Sequence, residues 1–144
     1  MIKYKQNKAS LTAIKKHLKI CQFVPPLDTY TNLDNYSKKI ITFAERFEAW
    51  DKNKFIGLVA VYYNDFSSKK GFITVVGINP NYVKQRIATK LLKKVIEYGK
   101  RKKFKKIDLE VKTNNIIALK LYKKLGFKMI KKGSPKSYMS LKLS

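Results

Sequence analysis

The chain has 144 residues, 44% hydrophobic and 12% aromatic, a size and composition that suit one domain with a real core and lie outside the disordered regime. Its 33 basic residues against nine acidic ones give a net charge of +24, yet only Arg46, Arg86 and Arg101 are arginines, and lysine alone serves bidentate base or phosphate recognition poorly, which counts against sequence-specific nucleic-acid binding. No apolar run approaches the ~18 residues of a membrane span, and one cysteine (Cys21) beside one histidine (His17) excludes an internal disulfide and argues against a metal site.

Met1-Ile2-Lys3-Tyr4-Lys5 leads into no apolar signal segment, so a cytoplasmic protein without membrane attachment is expected. From residue 7 to 20, Leu11, Ile14 and Leu18 recur at helical spacing among lysines and predict an amphipathic helix. Pro25-Pro26 ends it, and a loop leads to a short predicted helix over 33–41. Three strands are predicted over 43–50, 55–63 and 71–78, separated by turn-rich Asp51-Lys52-Asn53-Lys54 and Asn64-Asp65-Phe66-Ser67-Ser68. The second is apolar on both faces and reads as central.

Residues 85–100 place Ile87, Ala88, Leu91, Leu92, Val95 and Ile96 on one face and lysines on the other, the clearest helix in the chain. Residues 106–111 alternate Ile107, Leu109 and Val111 with Asp108 and Glu110, a strand. Strand, helix and strand in this order predict a right-handed βαβ crossover. Thr113-Asn114-Asn115 supplies caps for a helix over 116–125 closed by Gly126, and two short strands follow near 127–131 and 138–143. The expected architecture is α/β (α+β): one mixed, mostly antiparallel sheet of six to seven strands with helices on both faces. Residues 1–144 form one domain in this reading, with the core at 43–143 and a helical, acceptor-side region at 1–42.

Two stretches and the order of elements resemble the GNAT superfamily of acyl-CoA-dependent N-acyltransferases. Asn115-Ile116-Ile117-Ala118-Leu119-Lys120-Leu121-Tyr122-Lys123-Lys124-Leu125-Gly126-Phe127 fits the Asn-x-x-Ala-x-x-x-Tyr-x-x-x-Gly-Phe pattern at every fixed position. Residues 78–92 look like the strand, loop and helix that hold coenzyme A, although Val83 stands where Arg or Gln is usual and Arg86 where the first glycine is usual; Ala88 conforms. The resemblance implies an acetyl-CoA donor, an amine acceptor and a direct transfer in a ternary complex without metal.

A loop entering a helix presents free N–H groups and the positive end of a helix dipole to a pyrophosphate, and Lys84, Gln85, Arg86, Ile87, Ala88 and Thr89 lie there. Arg86 could obstruct the phosphates if its backbone needs a positive φ, or add a charge-assisted contact. The resemblance further implies that backbone groups near Ile78 hold the pantetheine and polarise the thioester carbonyl, that Asn115 offers its amide, and that Tyr122 protonates the leaving thiolate as general acid. By themselves Asn115 would be an N-cap and Tyr122 a packed aromatic. The general base stays open among Glu45, Glu48, Asp65 and a water chain, with His17 behind them. Residues 27–39 and the turn over 131–138 are expected to set the acceptor; Tyr30, Tyr36, Tyr62 and Tyr63 are candidate pocket walls. With nine acidic residues, a small-molecule amine is a better fit than a basic peptide. A basic nucleic-acid-binding module and an acetyl-CoA sensor without turnover are the competing readings, and a homodimer is left open.

Overall fold

The computed structural model describes residues 1–21, 23, 31–83 and 86–144. Seven strands form one sheet: β1 (Ile2–Gln6), β2 (Glu45–Asp51), β3 (Lys54–Asp65), β4 (Lys70–Ile78), β5 (Lys106–Lys112), β6 (Lys128–Lys131) and β7 (Lys136–Lys142), in the order β1-β2-β3-β4-β5-β7-β6. Every neighbouring pair is antiparallel except β4 and β5. The parallel pair needs a crossover, which is α3 (Ile87–Arg101).

α3 follows from its sequence. Ile87, Leu91, Leu92 and Val95 recur on one face and are at most 1% exposed, each worth about 2 kcal/mol of burial. Gly99 lets Tyr63 come under the helix: a Cβ there would stand 2.5 Å from the Tyr63 hydroxyl, which donates to Val95 O at 2.8 Å. α4 (Ile116–Lys124) covers the same face, with Tyr122 and Phe127 joining the α3 residues in one core. Gly126, at φ +104°, ends this helix in a conformation that suits glycine.

α1 (Leu11–Ile20) and α2 (Leu33–Phe43) cover the other face, where Ile14, Leu18, Leu33 and Ile40 meet Leu58, Ala60 and Val75 in a second core. Beneath them Glu48, fully buried, accepts from the N–H groups of Lys8 and Ala9, from Trp50 Nε1, and from Arg46 Nε at 3.4 Å.

The first 42 residues are not wholly helical as expected. β1 adds an edge strand through Ile2 and Tyr4, which pack on the α3 core. α1 starts at Leu11 rather than at residue 7, because Asn7 takes a left-handed φ of 58° and Ser10 caps the helix by accepting from Ala13 N–H. α2 runs on through Phe43, so β2 begins at Glu45. Pro25-Pro26 lies outside the described residues.

Candidate active site at the divergence of two parallel strands

The β4/β5 pairing covers only half of β4. It runs from Lys70↔Lys106 to Ile73↔Leu109 and stops. At that point β4 has an irregularity: Val61 opposes Ile73 while Ala60 opposes Val75, so Thr74 is an extra residue in the ladder. A bulge bends and twists its strand, and here it turns the rest of β4 away from β5. The Thr74 bulge is held from outside the sheet, since the Tyr36 hydroxyl of α2 donates to Thr74 O at 3.0 Å and lies 2.7 Å from Thr74 Oγ1.

Past the bulge the ladder with β3 resumes, and its phase tells which backbone groups face the opening. Asn79 N–H bonds Ile56 O at 2.8 Å, so Asn79 and Gly77 turn toward β3. Val76 and Ile78, at the alternate positions, turn their N–H and C=O groups toward β5, where no described strand meets them. The row of backbone donors and acceptors that meets no described strand therefore includes Val76 and Ile78.

The α2 side of the opening is a cleft of about 370 Å³ lined by Thr31, Tyr36, Phe72, Ile73, Thr74, Glu110, Val111, Lys112 and Lys136. Both segments expected to face the acceptor contribute to it. Of the candidate tyrosines, Tyr36 lines the cleft; Tyr62 lies on the same sheet face, half-buried under the Lys39 ammonium at 5.3 Å; Tyr63 is a core residue; Tyr30 lies outside the described residues. Glu110 is the one described acidic residue lining this cleft, and Lys136 Nζ stands 3.5 Å from its carboxylate.

The acids singled out in the sequence are employed elsewhere. Glu48 is consumed by its four donors. Glu45 accepts from Gln6 Nε2 and Asn7 Nδ2. Asp65 takes Ser67 and Ser68 hydroxyls and the Ser68 N–H at the hairpin between β3 and β4, at the end of β4 remote from the opening; these bonds hold its carboxyl below the usual range. His17 is 2% exposed and its Nε2 donates to Gly77 O at 2.9 Å. Burial lowers its pKa against the opposing effect of the Gly77 and Phe55 carbonyls, so it is a neutral brace on β4. Cys21 Sγ lies 3.3 Å from that ring, and burial pushes the thiol up to about 12. Glu110 was read from sequence only as an outward charge on β5. Nothing in the local alternation separates it from Asp108; the divergence of β4 from β5, a long-range feature, does.

On the opposite face stand the helix starts. Arg86 occupies the N-cap of α3 with φ 55° and ψ 27°, the left-handed region, and makes no side-chain cap. The position thus requires the backbone that a glycine supplies at least cost. Ile87, Ala88 and Thr89 form the first turn, whose N–H groups have no intrahelical partner; Lys84 and Gln85 lie outside the described residues. Asn115 caps α4, its Oδ1 accepting from Ala118 N–H at 3.2 Å, which leaves its Nδ2 donors uncommitted. Tyr122, two turns on, is 7% exposed and stacks edge-on to Phe127 at 5.8 Å. Its hydroxyl bonds no described residue, and burial pushes it up to about 12, so it is a fully protonated O–H donor near neutral pH. Among the described residues no group of three or more His, Cys, Asp or Glu could hold a metal ion, and no helix is long and apolar enough to cross a membrane.

Comparison with known proteins bears on this arrangement. The model of the acetyltransferase (GNAT) family matches residues 12–127. No curated protein sequence matches the chain. Among solved structures the fold is similar to the ribosomal-protein-S18-alanine N-acetyltransferase of Escherichia coli, with a TM-score of 0.82 at 17% identity over 100% of this chain and 95% of that one. It is also similar to PaiA N-acetyltransferase of Thermoplasma acidophilum in complex with coenzyme A (0.78, 17%, 99% of each chain) and to a GNAT-family acetyltransferase of Staphylococcus aureus Mu50 (0.80, 18%, 100% of each).

Proposed function

Since this chain belongs to the GNAT acetyltransferase family, we propose that it transfers the acetyl group of acetyl-CoA directly to a primary amine of a small molecule. The observation that carries the reading is the half-unpaired β4: Val76 and Ile78 offer outward N–H and C=O groups to an extended amide chain such as pantetheine. The donor fits the neighbouring groups as well. The first turn of α3 and the Arg86 guanidinium suit a pyrophosphate, and the Nδ2 of Asn115 suits a pantetheine carbonyl.

The chemistry divides between the two faces of the opening. A backbone N–H of β4 stabilises negative charge on the thioester oxygen. Glu110, on the cleft side, removes the proton that an ammonium must lose before its nitrogen attacks. The C–N bond forms, the C–S bond breaks, Tyr122 supplies a proton to the leaving sulfur, and the second proton, which the nitrogen sheds as it becomes an amide, returns through solvent to the Tyr122 oxygen. In place of Glu45, Glu48 and Asp65, Glu110 is the base this geometry favours, because it alone among the acidic residues considered lines the cleft. The volume of the cleft and its two lysines favour a small acceptor over a basic peptide.

Isothermal titration with acetyl-CoA tests the donor. Wild type is expected to bind in the micromolar range, and Asn115→Asp, which keeps the cap but loses both amide donors, to bind about tenfold more weakly with an unchanged unfolding midpoint. Absence of binding at millimolar acetyl-CoA would overturn the reading.

A further inference from the structure

We propose that the acceptor is an amine that also carries an anionic group, a carboxylate or a phosphate, held by Lys112 while its nitrogen lies at Glu110; this rests on the acetyl-transfer reading above. Lys112 and Lys136 stand directly opposite each other in the β5/β7 ladder. Like charges at such positions repel and destabilise the pair. The other end of the same ladder has a second such pair, Lys106↔Lys142, but there Asp108 lies 3.7 Å from Lys106 Nζ and answers one of the charges.

At the open end the answer is incomplete. Lys136 is paired with Glu110 at 3.5 Å. Lys112 is only half-exposed, lines the cleft, and forms no ion pair with a described residue. It follows Glu110 by two positions, so both side chains leave the same face of β5, about 7 Å apart along the strand. The cleft thus presents a carboxylate and, one step further from the last β4/β5 pair, a cation with no counterion among the described residues.

A plain amine approaches this site as an ammonium, against two lysines and the field of a +24 protein. Polyamines and basic peptide ends are repelled more strongly still. An anion on the same molecule reverses the sign of its interaction with Lys112, cancels the repulsion between the facing lysines, and fixes which end of the molecule reaches Glu110. Phe72 supplies apolar wall beside polar Thr31, Tyr36 and Thr74, while Ile73 and Val111 are committed to the α3 core, and about 370 Å³ accommodates a molecule of metabolite size.

The test is acetyl transfer at saturating acetyl-CoA to matched pairs of amines: leucine against 3-methylbutylamine for a carboxylate, O-phosphoethanolamine against ethanolamine for a phosphate. The anionic member of at least one pair is expected to have a kcat/KM about tenfold higher, the difference residing in KM; which pair responds tells carboxylate from phosphate. Lys112→Gln should bring that ratio to about one, and Lys112→Arg should restore it. An uncharged member used as well as its anionic partner overturns the inference. So does a lack of turnover with all four amines by a protein that binds acetyl-CoA, which leaves the donor reading standing; lack of acetyl-CoA binding removes both.

Discussion

The seam between β4 and β5 has a closed end and an open end, and the two are built from different materials. At the closed end four residue pairs run in register, Ile73, Ile107 and Leu109 are at most 5% exposed, and Asp108 is answered by Lys70, Lys106 and Ser140. At the open end the backbone of β4 meets no described strand on one side, the lysines face one another, and the single carboxylate lining the cleft is paired with Lys136. A packed, fully paired seam has nothing left to offer a ligand. The open end keeps its donors and charges available because the closed end and the Tyr36 contact to Thr74 supply the order that it lacks.

The largest expected effect comes from breaking the closed end. Leu109, 1% exposed and opposite Ile73 in the last pair before the divergence, is a load on the core and not on the site. Leu109→Ala should cost about 2–5 kcal/mol, read as a lower urea midpoint with an unchanged slope. If turnover by the remaining folded protein falls as steeply as stability, the division between the two ends fails.

The converse substitution acts on the open end alone. Tyr122→Phe removes a hydroxyl that bonds no described residue, so the unfolding midpoint should stay within about 0.5 kcal/mol of wild type, while kcat falls about 100-fold with little change in the KM for acetyl-CoA. Glu110→Gln should lower kcat on a similar scale and leave acetyl-CoA binding intact. A Tyr122→Phe enzyme with wild-type kcat would return Tyr122 to the packed aromatic that its contact with Phe127 also describes.

The closed end was far more legible in the sequence than the open one. α3, β3 and β5 announced themselves because a repeating apolar period is a local signal, and Leu91, Leu92, Ile107 and Leu109 are indeed core. β1 escaped notice: Ile2 and Tyr4 alternate with lysines over only five residues, too short a run to stand out beside a charged background. The start of α1 was misjudged because the backbone of Asn7 serves β2, accepting no part in the helix, and its side chain binds Glu45 and Arg46 N–H. The motif around Asn115 and Tyr122 was readable as a pattern. The role open to Glu110 was not, since it arises from where two strands part, and strand divergence leaves no mark on the alternation of β5.

Arg86 offers the smallest and sharpest probe, because it stands where the family pattern usually has glycine and its backbone lies in the left-handed region that suits glycine. Its left-handed φ of 55° costs about 1 kcal/mol in a residue with a Cβ. Glycine relieves that strain but loses about 0.4–1 kcal/mol through a freer unfolded chain, so Arg86→Gly should alter stability by no more than about 0.5 kcal/mol. The N–H groups at the start of α3 are the same in both proteins, and the difference in ligand affinity then reports the guanidinium alone. If the side chain attracts the pyrophosphate, Arg86→Gly should bind acetyl-CoA about 3- to 10-fold more weakly at low salt, and the gap should close in roughly 0.5 M salt as the charge is screened. Arg86→Ala separates charge from backbone: it should lose the same affinity while remaining strained, and so be the less stable of the two. Tighter binding by Arg86→Gly than by wild type would mean that the arginine obstructs the phosphates, and that the first turn of α3 holds them without help from its side chain.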